Sequence, residues 1–421
     1  MDSTVKQSSS GKWTGKQIFI ITAIWLAFLI SFITRLVWST LMPVVDDAMH
    51  FTVQQGNSYV TWFYIGYAIS VLPGGMLADK FGYRRMAMVA IIGNLVVMVL
   101  MSFMQGYWSG LILRVLLGLV SGPDLSACLG IITEWFDDTK RATATGWFNT
   151  CTSFGLIVVN AYAPSVSVHY GWRVAMIVTA LFPLAALIYA GIAFRMKPPY
   201  PQQFKVRTAS GELKTQSVWA RLLSAINSRS VWMLAITGLF ATGAKWGVTN
   251  WANLFMVKSL GFNVVEAGAA MTVYGVTSVI SMVIAGWLPD HFQKISRHVW
   301  AAIFMVIFTP TIIGFALTPK GNVPLLYFWT GAVGVGAFMF STITNNLSVE
   351  VAPPDQRGTV SGFVNVFNQS GSFIAPIILG QLLSSTGSYV QSLLVISVFP
   401  LIAVVALLFV REDDAKKYAI E

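Results

Sequence analysis

Of the 421 residues, 55% are hydrophobic and only 10% are charged, with a mean hydropathy of +0.67. This excludes an ordinary soluble enzyme, in which about a quarter of residues carry charge. A spanning helix takes roughly 20 apolar residues, so twelve spans would use about 240 and the chain is long enough to lie mostly in a bilayer. A net charge of +10 would raise nucleic acid as a partner in a soluble chain, but here the basic residues are first placed against a membrane.

Residues 1–17 form a polar tail. The apolar run over 18–43 follows without a cleavage-site pattern, so it is read as a retained span, not a signal peptide. Further runs of spanning length lie at 58–78, 86–104, 108–134, 142–165 and 173–195, then at 231–256, 266–288, 298–317, 324–349, 358–384 and 388–410. None alternates like a membrane strand of roughly 10 residues, so all twelve are predicted to be helices. The polar stretch 196–230 holds Pro198, Pro199 and Pro201 and six basic residues, with Glu212 its only acid. It is predicted to be a cytoplasmic linker between six-helix bundles at 18–195 and 231–410, with 411–421 a cytoplasmic tail. The two cysteines, Cys128 and Cys151, fall in apolar runs and suit neither a disulfide framework nor a metal site.

Loop charge sets the orientation. Lys6, Lys12, Lys16, Lys80, Arg84, Arg85, Lys140, Arg141, Lys294, Arg297, Arg357, Arg411, Lys416 and Lys417 all fall on the linker's side. The opposite loops offer Arg173, Lys258 and Lys320, and the first of them carries Asp46 and Asp47. Both termini are therefore predicted to be cytoplasmic. The positive charge is accounted for by topology, which removes the nucleic-acid reading.

The halves repeat. A shift of 211 residues pairs Gly75-Met-Leu-Ala-Asp79-Lys-Phe81 with Gly286-Trp-Leu-Pro-Asp290-His-Phe292, and Phe51-Thr-Val with Phe262-Asn-Val. A shift of 216 pairs the segment from Arg141 to Asn149 with that from Arg357 to Asn365, Gly155 with Gly371, and Glu134 with Glu350. Duplicated halves are common in secondary transporters, whose substrate site lies between them near mid-membrane.

Charges inside spans are costly, at least about 2.5–3.5 kcal/mol each, and mark substrate paths. Arg35 and Lys245 each lie deep in the first helix of a half, at nearly equivalent positions of the repeat. Two cations converging from two halves make a clamp for an anion, the arginine gripping through paired hydrogen bonds and the lysine acting as a point charge. Asp124, beside Pro123, is an acid within a span; it is read either as a proton-coupling carboxyl or as the neutraliser of a basic neighbour. Polar stripes follow: Asn149, Thr152 and Ser153 on span five, and Asn365, Asn368, Gln369 and Ser372 at helical spacing on span eleven. They suit the hydroxyls of a sugar-like ligand, or else helix–helix hydrogen bonding. Trp38, one turn from Arg35, is placed in the cavity wall; Trp246, Trp251 and Tyr274 are read as packing. There is no Walker-type phosphate loop, metal-ligand cluster or nucleophile–base pair, which argues against an ATP-driven pump, a cofactor and catalysis.

The segment Gly75-Met-Leu-Ala-Asp79-Lys-Phe-Gly82-Tyr-Arg84-Arg85 resembles the signature loop of the major facilitator superfamily, and Arg114-Val-Leu-Leu-Gly118-Leu-Val-Ser-Gly122 its second motif. The resemblance covers nearly the whole chain. It implies an all-α integral membrane protein of twelve helices in two pseudo-symmetric bundles. It implies helix packing or proton coupling for Arg114. It also implies a cytoplasmic gate in which Asp79, Arg84 and Arg85 pair with helix ends near Glu134 and Arg141, with Asp290, Glu350 and Arg357 as the repeat equivalents. The segment from Arg35 to Pro43, the segment Lys245-Trp-Gly-Val-Thr-Asn250-Trp251, Tyr67 and Asn149 resemble the organophosphate:phosphate antiporters. Val71 and Thr152 depart from them, standing where they have a lysine and a histidine. Glu134-Trp-Phe-Asp-Asp-Thr-Lys-Arg141-Ala is similar to the anion:cation symporters, which carry sugar acids, but Thr34 and Ser121 stand where those have acids. The drug-antiporter motif of span five is absent.

The expectation is a secondary transporter of a small organic anion in the inner plasma membrane. It would work as a monomer by alternating access, with protons or a counter-anion as the coupled species. A non-transporting anion sensor is the alternative, and a drug exporter ranks lower.

Overall fold

The computed structural model describes residues 13–200, 228–292, 295–351 and 357–410. The tails over 1–12 and 411–421 and the linker core over 201–227 lie outside the described residues. Among the described residues the chain forms fourteen α-helices and no strand. In chain order they are α1 Gly15–Met49, α2 Val53–Phe81, α3 Tyr83–Ser102, α4 Tyr107–Trp135, α5 Asp138–Asn149, α6 Cys151–Tyr170, α7 Trp172–Ala193, α8 Arg229–Lys258, α9 Val264–His291, α10 Arg297–Ala316, α11 Val323–Glu350, α12 Arg357–Thr386, α13 Tyr389–Ile396 and α14 Phe399–Leu407. Eleven helical segments are long and apolar enough to cross a membrane, and α2, bent by 46° next to Pro73, makes a twelfth when counted as one span.

Two predicted spans run through as single spans but carry a short local interruption of their helical hydrogen bonding. Span five divides into α5 and α6 at Thr150, whose hydroxyl donates to Trp147 O at 2.7 Å and accepts the Trp25 indole N–H at 2.9 Å. Span twelve divides into α13 and α14 at Ser397–Val398, just before Pro400, which supplies no N–H to a continuing helix. Span one also runs six residues further than predicted, to Met49, which carries Asp46 from a loop into a helix.

The repeat has a local physical basis. Thr52 and Gln55 form a reciprocal capping box at the start of α2, and Asn263 and Glu266, 211 residues on, form the same box at the start of α9. Each box satisfies helix N–H groups that have no partner within the helix. Packing repeats too. The pair α2 and α4 is matched by α9 and α11, α3 and α4 by α10 and α11, and α1 and α6 by α8 and α12. Gly118 lies where α4 meets the α2 backbone at Phe63 O and Tyr67 N, and Gly334, 216 residues on, lies where α11 meets Tyr274 O. A side chain at either would hold the helices apart.

The halves meet through α1 with α8, α2 with α12 and α6 with α9. Both α1 and α8 are buried around most of their circumference over their middle turns, whereas Ile69, Ile112, Ile188 and Val283 face outward, as in a lipid-facing surface. One end of the bundle is marked by Gln17 donating to Trp135 O and Arg84 donating to Phe194 O. This is the linker end, and the opposite one is the far end. Gly118→Val should destabilise the fold by about 1–3 kcal/mol through overpacking, read as a lower unfolding temperature of the detergent-purified protein, while Gly146→Val, with open space around it, should leave it unchanged.

Candidate functional site

Arg35 sits on α1 some 20 residues from its start, roughly 30 Å along the helix axis. It is 4% exposed. Its guanidinium carbon lies 4.5 Å from the ring centroid of Phe32, 5.1 Å from Phe63, 5.5 Å from Tyr64, 5.0 Å from Tyr67 and 5.9 Å from Trp246. Its Nε is buried without a hydrogen-bond partner. Lys245, on α8, is equally sequestered, its ammonium 3.7 Å from the Phe338 centroid and 5.3 Å from that of Trp246. Neither cation has an ion-pair partner among the described residues.

Trp246 therefore touches both charges, which are at most about 11 Å apart given its distances to each. It also stacks on Phe32 across the boundary between the halves, at 6.0 Å and 19°. The sequence reading assigned this ring to packing; its position next to Lys245 was the available signal. Trp38 behaves in the opposite way. Its indole donates to Gly56 O at 2.9 Å and its ring stacks on Tyr59 at 4.2 Å, so it joins α1 to α2 instead of lining the site.

Arg114 is tied to the backbone of two helices. Its Nε donates to Tyr59 O at 3.2 Å and its Nη2 to Arg35 O at 3.3 Å, so it ties the turn that carries Arg35 to α2. Asp124 is 1% exposed and accepts from the Cys128 thiol at 3.4 Å. No cation lies within ion-pair distance of it among the described residues, so it does not act as a paired neutraliser. Thr34 and Ser121 donate to one acceptor, Asn94 Oδ1, at 2.7 and 3.3 Å, forming a neutral junction of α1, α3 and α4.

The polar stripes do not act as one surface. Asn149 is exposed, and Thr152 donates back to Asn149 O at 3.1 Å. Ser153 accepts from Ser278 of α9 at 2.8 Å, across the halves. Asn365 and Gln369 are half-buried, while Asn368 lies against Gly238 of α8 with its Oδ1 unpartnered. Measured along their helices, Asn149, Asn365 and Gln369 all sit toward the linker end of the two cations.

At the linker end, Arg84 donates to Phe194 O and Met196 O and pairs with Glu134 at 3.5 Å, joining α3, α4 and α7 within the first half. Asp79 accepts from the Tyr83 hydroxyl at 3.0 Å, Arg85 is exposed, and Arg141 donates to Phe136 O at 3.4 Å. The side chains of Asp290, Glu350 and Arg357 lie outside the described residues.

The sequence reading missed a seal at the far end. Ser39 donates to Asn250 at 2.8 Å, Asn253 to Asn160 at 3.1 Å, and the Trp251 indole to Asn57 Oδ1 at 2.8 Å. Asn57 donates in turn to Pro376 O, and Lys258 pairs with Asp47. Each of these bonds crosses between the halves. Asn250 and Asn253, one turn apart in an apolar helix, were the legible sign.

The chain matches the family model of the Major Facilitator Superfamily over residues 24–376, with a second match over 322–420. It is 22% identical to the membrane sensor protein UhpC of Escherichia coli (strain K12) over 366 residues, covering 85% of this chain and 83% of that protein. It is 24% identical to the hexuronate transporter of Bacillus subtilis (strain 168) over 420 residues, covering 93% and 94%. The structure of a bacterial homologue of the human lysosomal transporter Spinster, inward-facing and unoccupied, superposes with a TM-score of 0.79 at 14% identity, covering 97% of this chain and 99% of that one.

Arg114→Lys retains the charge but not the two-pronged donation to Tyr59 O and Arg35 O. It should lower stability by about 1–3 kcal/mol, the usual cost of leaving buried acceptors unpaired, measured as unfolding in detergent; an unchanged unfolding temperature would mean that charge alone is needed there.

Proposed function

The chain belongs to the major facilitator superfamily, and from that premise we propose that it is a secondary active transporter of a small organic anion, held between Arg35 and Lys245. The observation that carries this reading is the pair of buried cations, one from each half, meeting at a single indole, with Asp124 acting on Arg35 only from beyond ion-pair distance and no ion pair to either cation among the described residues. A buried charge without a partner costs several kcal/mol, and aromatic faces return about 0.5–2 kcal/mol each. An entering anion supplies the missing countercharge. Arginine offers two parallel donors to a carboxylate, phosphate or sulfonate, and lysine adds a point charge.

The substrate class is a sugar acid or a related hydroxylated anion. The relative named a hexuronate transporter supports this, as does the placing of Asn149, Asn365 and Gln369 on the linker side of the cations, where the hydroxylated body of a ligand would extend. The first and second six-helix halves are the moving bodies, rocking about the midplane site. With the far end sealed, the site communicates with the linker end, which the basic loops place in the cytoplasm. The protein resides in the inner membrane with both termini cytoplasmic. Asp124, buried and outside ion-pair distance of Arg35, is the group assigned to carry a coupling proton; exchange against a second anion is the other route. The relative named a membrane sensor favours one second reading, anion binding without flux.

The test is uptake of labelled sugar acids, sugar phosphates and sulfonated sugars into proteoliposomes, with and without an inside-alkaline gradient and with and without internal unlabelled anion. Wild-type uptake should fall by at least about tenfold, equivalent to 1.4 kcal/mol, in both Arg35→Ala and Lys245→Ala. Loss of the gradient effect in Asp124→Asn with exchange retained would assign the proton to Asp124. Binding without uptake would establish the sensor reading.

A further inference from the structure

Asp46 is a buried acid among the described residues that the site does not account for. It lies in the last turn-and-a-half of α1, is 3% exposed, and both of its carboxylate oxygens are buried without a hydrogen-bond partner. It is pressed against Gly56 of α2, where any side chain would overlap its carboxyl group. Buried carboxylates are ordinarily paired or hydrogen-bonded, because an unpaired charge in a dry site is strongly unfavourable.

The nearby groups do not supply a donor. Lys258, at the end of α8, is engaged by Asp47, the next residue. Tyr59 of α2 faces Asp46, but its hydroxyl donates to Tyr107 O at 2.7 Å. Tyr389 of α13 also lies within electrostatic reach of both Asp46 and Asp47. The N–H of Gly56 is bonded within α2 to Thr52 O. Asp47 adds a second negative charge on the same helix. Lys258 acts on Asp46 from a distance but is held by Asp47, and among the described residues no group donates a hydrogen bond to the Asp46 carboxyl.

We propose that Asp46 is a proton-binding site over which the far-end seal closes. In the closed arrangement the carboxyl carries the proton and is neutral, so no charge is stranded between α1 and α2. When α8 and α12 draw away from α1 and α2, water reaches Asp46, its O–H bond breaks and the proton passes to the far-side solution. On closing, the carboxylate takes a proton from that same solution. The proton does not cross the membrane; its binding biases the gate. The sign follows by linkage: the closed state holds one proton more than the open state, so acid on the far side favours closure and alkali favours opening, by up to about tenfold in their ratio per pH unit. The proposal does not depend on which substrate is carried.

The experiment labels Gln54 on α2 and Ser385 on α12, both exposed at the far end, with spin probes after substitution by cysteine. Distance distributions are measured in nanodiscs, without added anion, from about pH 5 to pH 9, a range that brackets a carboxyl with altered affinity. The two native cysteines are buried and stay unlabelled. The wild type should shift from a short distance in acid to a longer one in alkali. Asp46→Asn and Asp46→Ala, both neutral, should hold the short distance throughout. Asp47→Asn, which removes the ion pair alone, should still titrate. A flat wild-type profile would overturn the proposal without needing any variant, and so would a neutral variant that titrates as the wild type does.

Discussion

A fixed positive charge inside a membrane must find a partner, and the site is organised by how three cations do so. Arg114 is compensated by neutral oxygens, the carbonyls of Tyr59 and Arg35. Those bonds fix its guanidinium against two helix backbones. Arg35 is met by ring faces and the Tyr67 hydroxyl, and Lys245 by ring faces. A ring face is a weaker partner than a carboxylate, so these two cations remain receptive to an anion while Arg114 does not. Arg114 in turn fixes the backbone turn on which Arg35 stands. One arginine is structural so that another can be available.

This division also explains the surroundings. Thr34, next to Arg35, and Ser121, seven residues after Arg114, converge on Asn94 Oδ1 and form a neutral junction. An acid at either position would face two cations and compete with an entering anion for Arg35. Its absence leaves Asp124 as a buried carboxyl of the first half that is not engaged in an ion pair and is met by neutral groups, the Cys128 thiol and Ser31.

Much of the architecture was legible in the sequence because spanning length, loop charge and the internal repeat are one-dimensional signals. The boundaries of most helices follow within about three residues, the scatter expected of such assignments. Arg35 and Lys245 were legible for the same reason: a charge in an apolar run is visible without knowing what surrounds it. The breaks at Thr150 and Ser397 were not. At the first, Trp25 reaches Thr150 across 125 residues of chain, a contact no local window contains. Trp38 and Trp246 exchanged roles because sequence gives a ring's position on a helix but not the neighbour that captures its N–H. The far-end seal was hidden because its bonds pair residues of different halves. The apolar run ends at residue 43, which puts Asp46 in a loop, whereas the helix continues to Met49.

The clamp and the seal are carried by the same two helices. On α1, Arg35 is followed one turn later by Ser39, which bonds Asn250, and Asp47 lies three turns beyond Arg35. On α8, Lys245 is followed by Asn250, Asn253 and Lys258, all bonded across the halves toward the far end. A helix transmits displacement along its length because its side chains are fixed to one hydrogen-bonded backbone. An anion that draws Arg35 and Lys245 together therefore acts on the residues that seal the far end without needing a separate pathway. The energy available is the difference between ring faces and an ion pair at two cations, and the load is a set of neutral hydrogen bonds with one exposed ion pair. Neutral bonds exchange with water at a net cost of only about 0.5–1.5 kcal/mol each. A seal built from amides and hydroxyls is thus weak enough to be moved by a single ligand, which a seal of buried ion pairs would not be.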